Sequence, residues 1–251
     1  MPYIKNKCRA GRTVDYEYHY TFRHNDGSCI KRNPKEKPTK EAQKKVNRRK
    51  AAKEATRTIN ENFGPDDYYI TLTYRIENRP DPEGLKKHIK ALLAKMRNIQ
   101  KKVGRLLKYI WVAEVGKRGA THIHMVVNQI NLQAVRDIWK HGYTKVIPLD
   151  DTGQYRKLAE YLIKYSNQTE DVLGRTIGKR YNCSRNLVHP KPKTEVIKGR
   201  KKIPDSIPVP KGYYLDKDTE RRGIHELTGY EFLQYTLIRI EGGPNERKKR
   251  I

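Results

Sequence analysis

The sequence is poor in cysteine, in phenylalanine and tryptophan, and in acidic side chains. It contains three cysteines, three phenylalanines and two tryptophans, and 55 lysines and arginines outnumber its 28 acids. Cys8, Cys29 and Cys183 are far apart and form no C-x-x-C pair, which argues against a zinc knuckle and against a disulfide framework. Such thiols are typically reduced in a cytosol, so we expect a cytoplasmic protein.

Two kinds of segment are also missing. No stretch approaches the length of a membrane span, and Met1–Lys5 does not begin a signal-peptide core, so we expect a soluble intracellular protein with no membrane partner. No G-x-x-x-x-G-K-[ST] motif occurs. The nearest stretch, Gly174–Lys179, has its glycines four residues apart and is followed by Arg180 rather than Ser or Thr, so we predict no ATPase.

Positive charge and tyrosine are what the sequence has in excess. The formal net charge is +27, which exceeds what solubility requires and indicates a polyanionic partner, most simply nucleic acid bound through its phosphates. The chain has 17 tyrosines. A tyrosine ring can stack on a base, and its hydroxyl can bond a phosphate or act as a nucleophile.

Apolar periodicity predicts seven elements between residues 68 and 167, in the order β-α-β-β-α-β-α. The predicted strands cover 68–74, 107–115, 121–129 and 143–147, and the predicted helices cover 83–103, 132–139 and 154–167. This order is typical of an α+β fold of the split β-α-β kind, ferredoxin-like or RRM-like. We expect an antiparallel-centred sheet with its helices on one face and the other face open to a ligand.

Basic extensions flank this region, and they suggest three parts: residues 1–64, 65–170 and 171–251. The first has a tyrosine-rich strand near Val14–Phe22, a hairpin at Asp26-Gly27 and a helix capped by Thr39. The third is rich in lysine and proline between residues 190 and 210, which makes it a poor core former. It offers one further element within residues 229–240 and a basic end at 247–250.

His122-Ile123-His124 lies in an apolar, β-branched run, so both imidazoles should project from the same face of a strand. If the strands on either side of the 116–120 loop fold back about its centre, Glu114 lies opposite His122 on that face. Two imidazoles and a carboxylate with open positions would suit Mg²⁺ or Mn²⁺ acting on phosphate. A slip of one residue would turn Glu114 to the other face. The alternative is a pair of ordinary surface or core histidines.

The last predicted helix carries Tyr161, Lys164 and Tyr165 at spacings of three and four residues, so all three can share a face. Tyrosine becomes a nucleophile when a neighbouring positive charge stabilises its phenolate, which a polarised phosphate and a lysine ammonium can do. The alternative is that Tyr161 and Tyr165 are core residues of an amphipathic helix.

Three blocks occur in order: Ile70–Tyr74, His122–His124 and Tyr161–Lys164. Together they resemble the HUH endonuclease superfamily, and in particular the rolling-circle replication initiators of plasmid or phage type. The resemblance covers about residues 65–170. With Tyr165 four residues after Tyr161, the sequence is also similar to the two-tyrosine initiators of small single-stranded DNA phages. In those proteins a second lysine often follows the second tyrosine by three residues, where this sequence has Gln168.

The resemblance implies site-specific nicking and joining of single-stranded DNA at a replication origin. It makes His122, His124 and Glu114 the ligands of Mg²⁺ or Mn²⁺, and Tyr161 the nucleophile that forms a 5′-phosphotyrosine link and frees a 3′-hydroxyl. Lys164 would neutralise charge, and Tyr165 would act in a second cleavage.

The expected partners are single-stranded origin DNA and a host helicase and polymerase, because the chain has no ATPase motif of its own. Two alternatives remain. One is an HUH-type transposase or relaxase with the same site. The other is a non-catalytic nucleic-acid-binding module of ferredoxin-like fold.

Overall fold

The computed structural model of the protein describes residues 3–21, 41–198, 202–225 and 229–240. The hairpin expected at Asp26-Gly27, the Thr39 cap, Cys29 and the basic end at 247–250 lie outside these ranges. Neither Cys8 nor Cys183 is in a disulfide. Within the described ranges, no helix is both long enough and apolar enough to cross a membrane.

The described residues form ten strands and four α-helices. They are β1 (Tyr3–Ala10), β2 (Thr13–Tyr20), α1 (Glu41–Asn62), β3 (Tyr68–Thr73), α2 (Pro82–Lys102), β4 (Tyr109–Val115), β5 (Thr121–Val127), α3 (Leu132–Ile138), β6 (Thr144–Pro148), α4 (Arg156–Leu173), β7 (Asn182–Cys183), β8 (Lys193–Val196), β9 (Tyr213–Ile224) and β10 (Glu231–Arg239). All seven elements predicted between residues 68 and 167 are therefore confirmed. The last helix runs further than expected and ends at Gly174, whose φ of 70° lies in the left-handed region.

Backbone contacts group the chain into two compact units. One is Glu41–His189, and the other combines Met1–Lys40 with Pro190–Ile251. The three-part functional division drawn from the sequence stays a prediction.

The unit Glu41–His189 is built on a five-stranded sheet with the order β6-β3-β5-β4-β7, in which every pairing is antiparallel. Strands β6, β3, β5 and β4 have the split β-α-β arrangement. The two strands joined by α2, β3 and β4, lie on either side of β5. The predicted α+β class is confirmed.

Helices cover both faces of this sheet, so the expectation that one face would stay open is wrong. On one face α2 and α3 pack against side chains such as Leu72 and Met125. On the other face α1 and α4 pack against Val112 and Val126. The reason lies in β4, where Tyr109–Ala113 is continuously buried rather than alternating. A strand buried on both faces has this pattern.

Local sequence explains where α2 begins. Its N-cap Asp81 accepts a hydrogen bond from the Gly84 amide at 2.8 Å, and Pro82 occupies the first turn, where its missing N–H costs nothing. Leu85, Ile89 and further apolar residues at three- and four-residue steps are buried against the sheet. Helix α2 therefore covers one face of the sheet, and α4 covers the other.

Gly142 packs against the end of β3 with no space for a side chain. A Cβ at this position would lie 2.0 Å from the Thr73 carbonyl oxygen and 2.9 Å from the Arg75 amide nitrogen. Because both atoms are backbone, Gly142→Ala should lower the free energy of unfolding by about 3 kcal/mol. Urea denaturation would measure this loss. Gly64→Ala is the matched control, since a Cβ there meets nothing within 4 Å, and equal losses in both variants would contradict the packing argument.

The other unit is a second antiparallel sheet, with the order β8-β1-β2-β10-β9. Both ends of the chain contribute to it, because the β1–β2 hairpin is flanked by β8, which pairs with β1, and by β10, which pairs with β2. One face holds a small core around Leu233, Tyr235 and Leu237, with Tyr18 and Ile203 packed against them. Strands from the two predicted extensions thus share one sheet, and no sequence pattern indicated this pairing.

Candidate active site

The alternation of β3 places three polar side chains on the face covered by α4. Ile70 and Leu72 are buried in the core on the opposite face, so Tyr69, Thr71 and Thr73 must point towards α4. In the pairing of β3 with β5, Thr71 lies opposite His124 and Thr73 lies opposite His122. The strand therefore presents a hydroxyl to each histidine.

The hairpin of β4 and β5 has the register expected from the sequence. Glu114 lies directly opposite His122. The loop closes through the Gly116 amide, which donates to the Ala120 carbonyl at 2.8 Å, and Gly119 adopts a φ of 73°. Glu114 consequently shares a face with both histidines, which was the uncertain step in the sequence argument.

His124 is at the centre of this cluster and is 4% exposed. Its Nε2 lies 2.8 Å from Glu114 Oε2, and its Nδ1 lies 2.7 Å from the Tyr69 hydroxyl and 3.4 Å from Thr71 Oγ1. A neutral imidazole donates from one nitrogen and accepts at the other. In this arrangement Nε2–H donates to the carboxylate, and Nδ1 accepts from the Tyr69 hydroxyl.

His122 is held more loosely, by a 3.3 Å contact between its Nδ1 and Thr73 Oγ1. Burial lowers its pKa below the ordinary value, the neighbouring His124 and Arg79 lower it further, and Glu114 opposes them. The ring is therefore neutral at physiological pH, the form in which imidazole binds a metal.

The donor set fits a divalent cation, although the side chains are not arranged around one. Among the described residues, no group of three or more histidine, cysteine, aspartate or glutamate side chains is placed to hold a metal ion. Instead, Glu114 and His124 bond directly to each other at 2.8 Å. This separation is close to the ~3.0 Å between neighbouring ligand atoms around an octahedral ion with bonds of ~2.1 Å. Metal binding at Nε2 would replace its hydrogen bond to Glu114 and move the ring proton to Nδ1, which would then donate to the Tyr69 hydroxyl.

Two tyrosines of α4 lie against the histidines. The Tyr165 ring stacks on His124 with centroids 4.0 Å apart and planes 3° apart, and the Tyr161 ring meets His124 edge-on at 6.2 Å. Tyr161 is 43% exposed. Burial raises the pKa of Tyr165 well above its ordinary value, and its hydrogen bond with Tyr161 raises it further. Tyr161 is therefore the tyrosine that a substrate could reach.

Lys164 is exposed on the same helix, and no hydrogen bond or ion pair is recorded for its ammonium group in the described ranges. The structure thus brings together five of the six predicted residues, the sixth being Lys164. Those five are Glu114, His122, His124, Tyr161 and Tyr165.

Two supporting residues were missed in the sequence. Tyr69 binds His124, and Thr169 joins α4 to β4, because its hydroxyl donates to the Ala113 carbonyl and accepts from the Val115 amide, both at 2.9 Å. The alternation of β3 could have indicated Tyr69, since it shares the face of Thr71. Nothing in the sequence distinguishes Thr169 from an ordinary helix residue.

Comparison with family models indicates which known proteins this region resembles. Residues 67–170 match the family described as replication-associated protein ORF2/G2P. This segment is similar to that family. The ORF2/G2P segment contains β3 to β6 and nearly all of α4, and so includes every predicted site residue.

The match supports a role in DNA replication and is consistent with a rolling-circle initiator, as the sequence motifs predicted. Searches of curated proteins and of solved structures found no match to the chain.

Proposed function

We propose that the protein is a single-stranded DNA nicking and joining endonuclease that initiates rolling-circle replication. The observation that carries the proposal is the meeting of Tyr161 and Tyr165 with a carboxylate–imidazole cluster on one face of the sheet. Chance core packing gives no reason for an exposed tyrosine beside two histidines and a glutamate. An exposed tyrosine beside candidate metal ligands suits phosphoryl transfer from DNA to tyrosine.

Glu114, His122 and His124 would hold Mg²⁺ or Mn²⁺. When bound, the ion supplies a Lewis acid that polarises a non-bridging oxygen of the scissile phosphate. The protein supplies the surroundings of these ligands. Thr73 orients His122 and the Tyr69 hydroxyl orients His124, so that both rings keep their direction when the substrate arrives.

Tyr161 would be the first nucleophile. Its phenol oxygen bonds to phosphorus while the bond from phosphorus to the 3′-oxygen breaks, and the phenol proton is balanced by the one gained at the 3′-hydroxyl. The product is a 5′-phosphotyrosine link, which conserves the phosphodiester bond for rejoining. Lys164, one turn further along α4, would neutralise charge on the phosphate. A host polymerase would extend the free 3′-hydroxyl after a host helicase separates the strands.

Tyr165 would act as the second nucleophile after a rearrangement, because its ring is stacked on His124 and in contact with the Tyr161 ring. Tyr161 and Tyr165 would then act in alternate cleavages.

Covalent capture tests the proposal. The protein is incubated with labelled single-stranded DNA from the origin of its own replicon and Mn²⁺, and the mixture is run on a denaturing gel. We expect a labelled band at the size of protein plus oligonucleotide, together with a free 3′-hydroxyl fragment that a polymerase can extend. EDTA should remove both. Binding without any adduct would instead identify a non-catalytic DNA-binding module, and an adduct on hairpin ends alone would identify a transposase.

Tyr69→Phe tests the orientation of His124. The substitution removes the hydroxyl that lies 2.7 Å from Nδ1 and retains the ring. Burial raises the pKa of Tyr69 to about 12, so the phenol stays protonated and acts only as a hydrogen-bond partner. The Mn²⁺ concentration for half-maximal cleavage should rise about 10- to 100-fold. Tyr68→Phe is the control, since Tyr68 faces the opposite core. Equal metal dependence in both variants would refute this role.

A further inference from the structure

The second sheet carries a row of cations along β1 and its neighbour β8. Lys5, Lys7 and Arg9 alternate along β1 and therefore share a face. Lys193 of the edge strand β8 lies directly opposite Lys7. Arg9 and Lys193 are exposed, and Lys7 is half-buried.

The acidic residues nearby are mostly on the other face. Asp15 and Glu17 of β2 lie opposite Cys8 and Asn6, which point away from the cations. In the described part of this unit, the ion pair recorded for the row joins Lys5 to Glu195, at 3.5 Å. One acid therefore offsets one of four cations.

Lys7 and Lys193 face each other across β1 and β8, which is unfavourable when no ligand is bound. Like charges directly opposite each other across two strands repel and destabilise the pair. The ammonium groups of Lys5 and Lys7 also lie over the same ring, at 5.7 and 5.4 Å from the centroid of Tyr16. A polyanion bound over the two strands would neutralise Lys7 and Lys193 and so remove the repulsion between them.

We propose that this β1–β8 surface, formed by Lys5, Lys7, Arg9 and Lys193, is a second binding site for single-stranded DNA, separate from the site on α4. Same-face residues on a strand are spaced by ~7 Å, so the cations form a line that a flexible phosphate backbone can follow. The Tyr16 ring is stacked on Tyr235 and packs against the small core of this sheet, so it supports the ammonium groups of Lys5 and Lys7 that lie over it. A duplex is much stiffer than a single strand and cannot adapt its backbone to this line. The inference goes beyond the proposed nicking activity and requires neither metal nor nucleophile.

Salt dependence of binding tests the proposal on the full-length chain in EDTA, where no cleavage occurs. The probe is a labelled mixed-sequence single-stranded 30-mer, and anisotropy gives its affinity between 50 and 300 mM salt. Each lost phosphate contact lowers the slope of log affinity against log salt by ~0.7. The triple variant Lys7→Gln, Arg9→Gln, Lys193→Gln should therefore lose about 2 from the slope and bind about 100-fold more weakly at 0.1 M salt.

A matched control removes the same charge from the opposite edge of the sheet. Lys211, Lys217 and Arg221 are exposed on β9 or in the turn before it. Their replacement by Gln should change the slope by less than half as much. An equal change in both triple variants would overturn the proposal, and an equal loss of affinity for a duplex 30-mer would overturn the assignment to single strands.

Thermal unfolding separates binding from a structural role. Because Lys7 and Lys193 repel each other, Lys7→Gln should leave the melting temperature unchanged or raise it while it weakens binding. A lower melting temperature with an unchanged salt slope would mean that the lysine serves the fold through Tyr16. Since no step of this test involves cleavage, its outcome is independent of the covalent capture experiment.

Discussion

Replacement of Tyr161 by phenylalanine should reduce the first covalent attachment to DNA by about 10³-fold or more, because the substitution removes the attacking oxygen. The ring is 43% exposed and keeps its edge contact with His124 without the hydroxyl, so the fold should be unchanged. Single-turnover adduct formation on a denaturing gel measures the loss. DNA affinity in EDTA should stay within twofold of the original protein.

Tyr165→Phe supplies the comparison. It preserves the stacking on His124, so the first cleavage should fall by less than about tenfold, whereas rejoining to a second DNA strand should fail. The double variant should form no adduct. If the two single variants lost the first cleavage equally, Tyr161 would not be the distinct first nucleophile, and an adduct in the double variant would remove both tyrosines from the reaction.

His122→Ala should reduce cleavage by about 10³-fold and leave most of the DNA binding intact. A metal ligand contributes several kcal/mol to a phosphoryl-transfer transition state, and about 4 kcal/mol corresponds to this factor. His122 is a better test than His124, whose ring contacts Tyr69, Glu114 and Tyr165 and whose loss would leave a cavity. Cleavage rates at saturating Mn²⁺, with salt-dependent DNA affinity measured in parallel, make the distinction.

His88→Ala is the matched control for this substitution. His88 is a half-buried histidine that stacks on His141 at 4.0 Å and lies beside Tyr74, away from α4. Its loss should change cleavage less than about threefold. Undiminished cleavage in His122→Ala would exclude His122 from the metal site, and an equal loss in both variants would point to a general effect on folding.

The sequence predicted the relative placement of the candidate site residues better than it predicted what surrounds them. The spacing of Glu114 and His122 about a short loop was enough to give their register, because strand pairing across a hairpin is local. The Tyr161 and Tyr165 pair followed from helical spacing. What could not be predicted was that Tyr165 would lie flat on His124, since that depends on how α4 crosses the sheet.

The error about the open face has a related cause. Periodicity within α4 shows that the helix has an apolar side but does not identify the surface that this side covers. The continuously apolar stretch of β4 did contain the answer, because both of its faces are buried. Likewise, the pairing of Tyr16 with Tyr235 joins segments from opposite ends of the chain, and no local pattern predicts a contact of that range.

Because both chain ends contribute strands to one sheet, that sheet can be completed only late in synthesis of the chain. β2 leaves the ribosome early, but its partner β10 follows only after roughly 200 further residues, which takes roughly 10 to 40 s at typical elongation rates. During that interval the edge of β2 has no native neighbour on that side, and open strand edges are where chains associate wrongly. Residues 41–189 are contiguous and can fold meanwhile. A chain interrupted before Glu231 would thus combine a folded unit of residues 41–189 with an incomplete sheet whose open edge favours association with other chains.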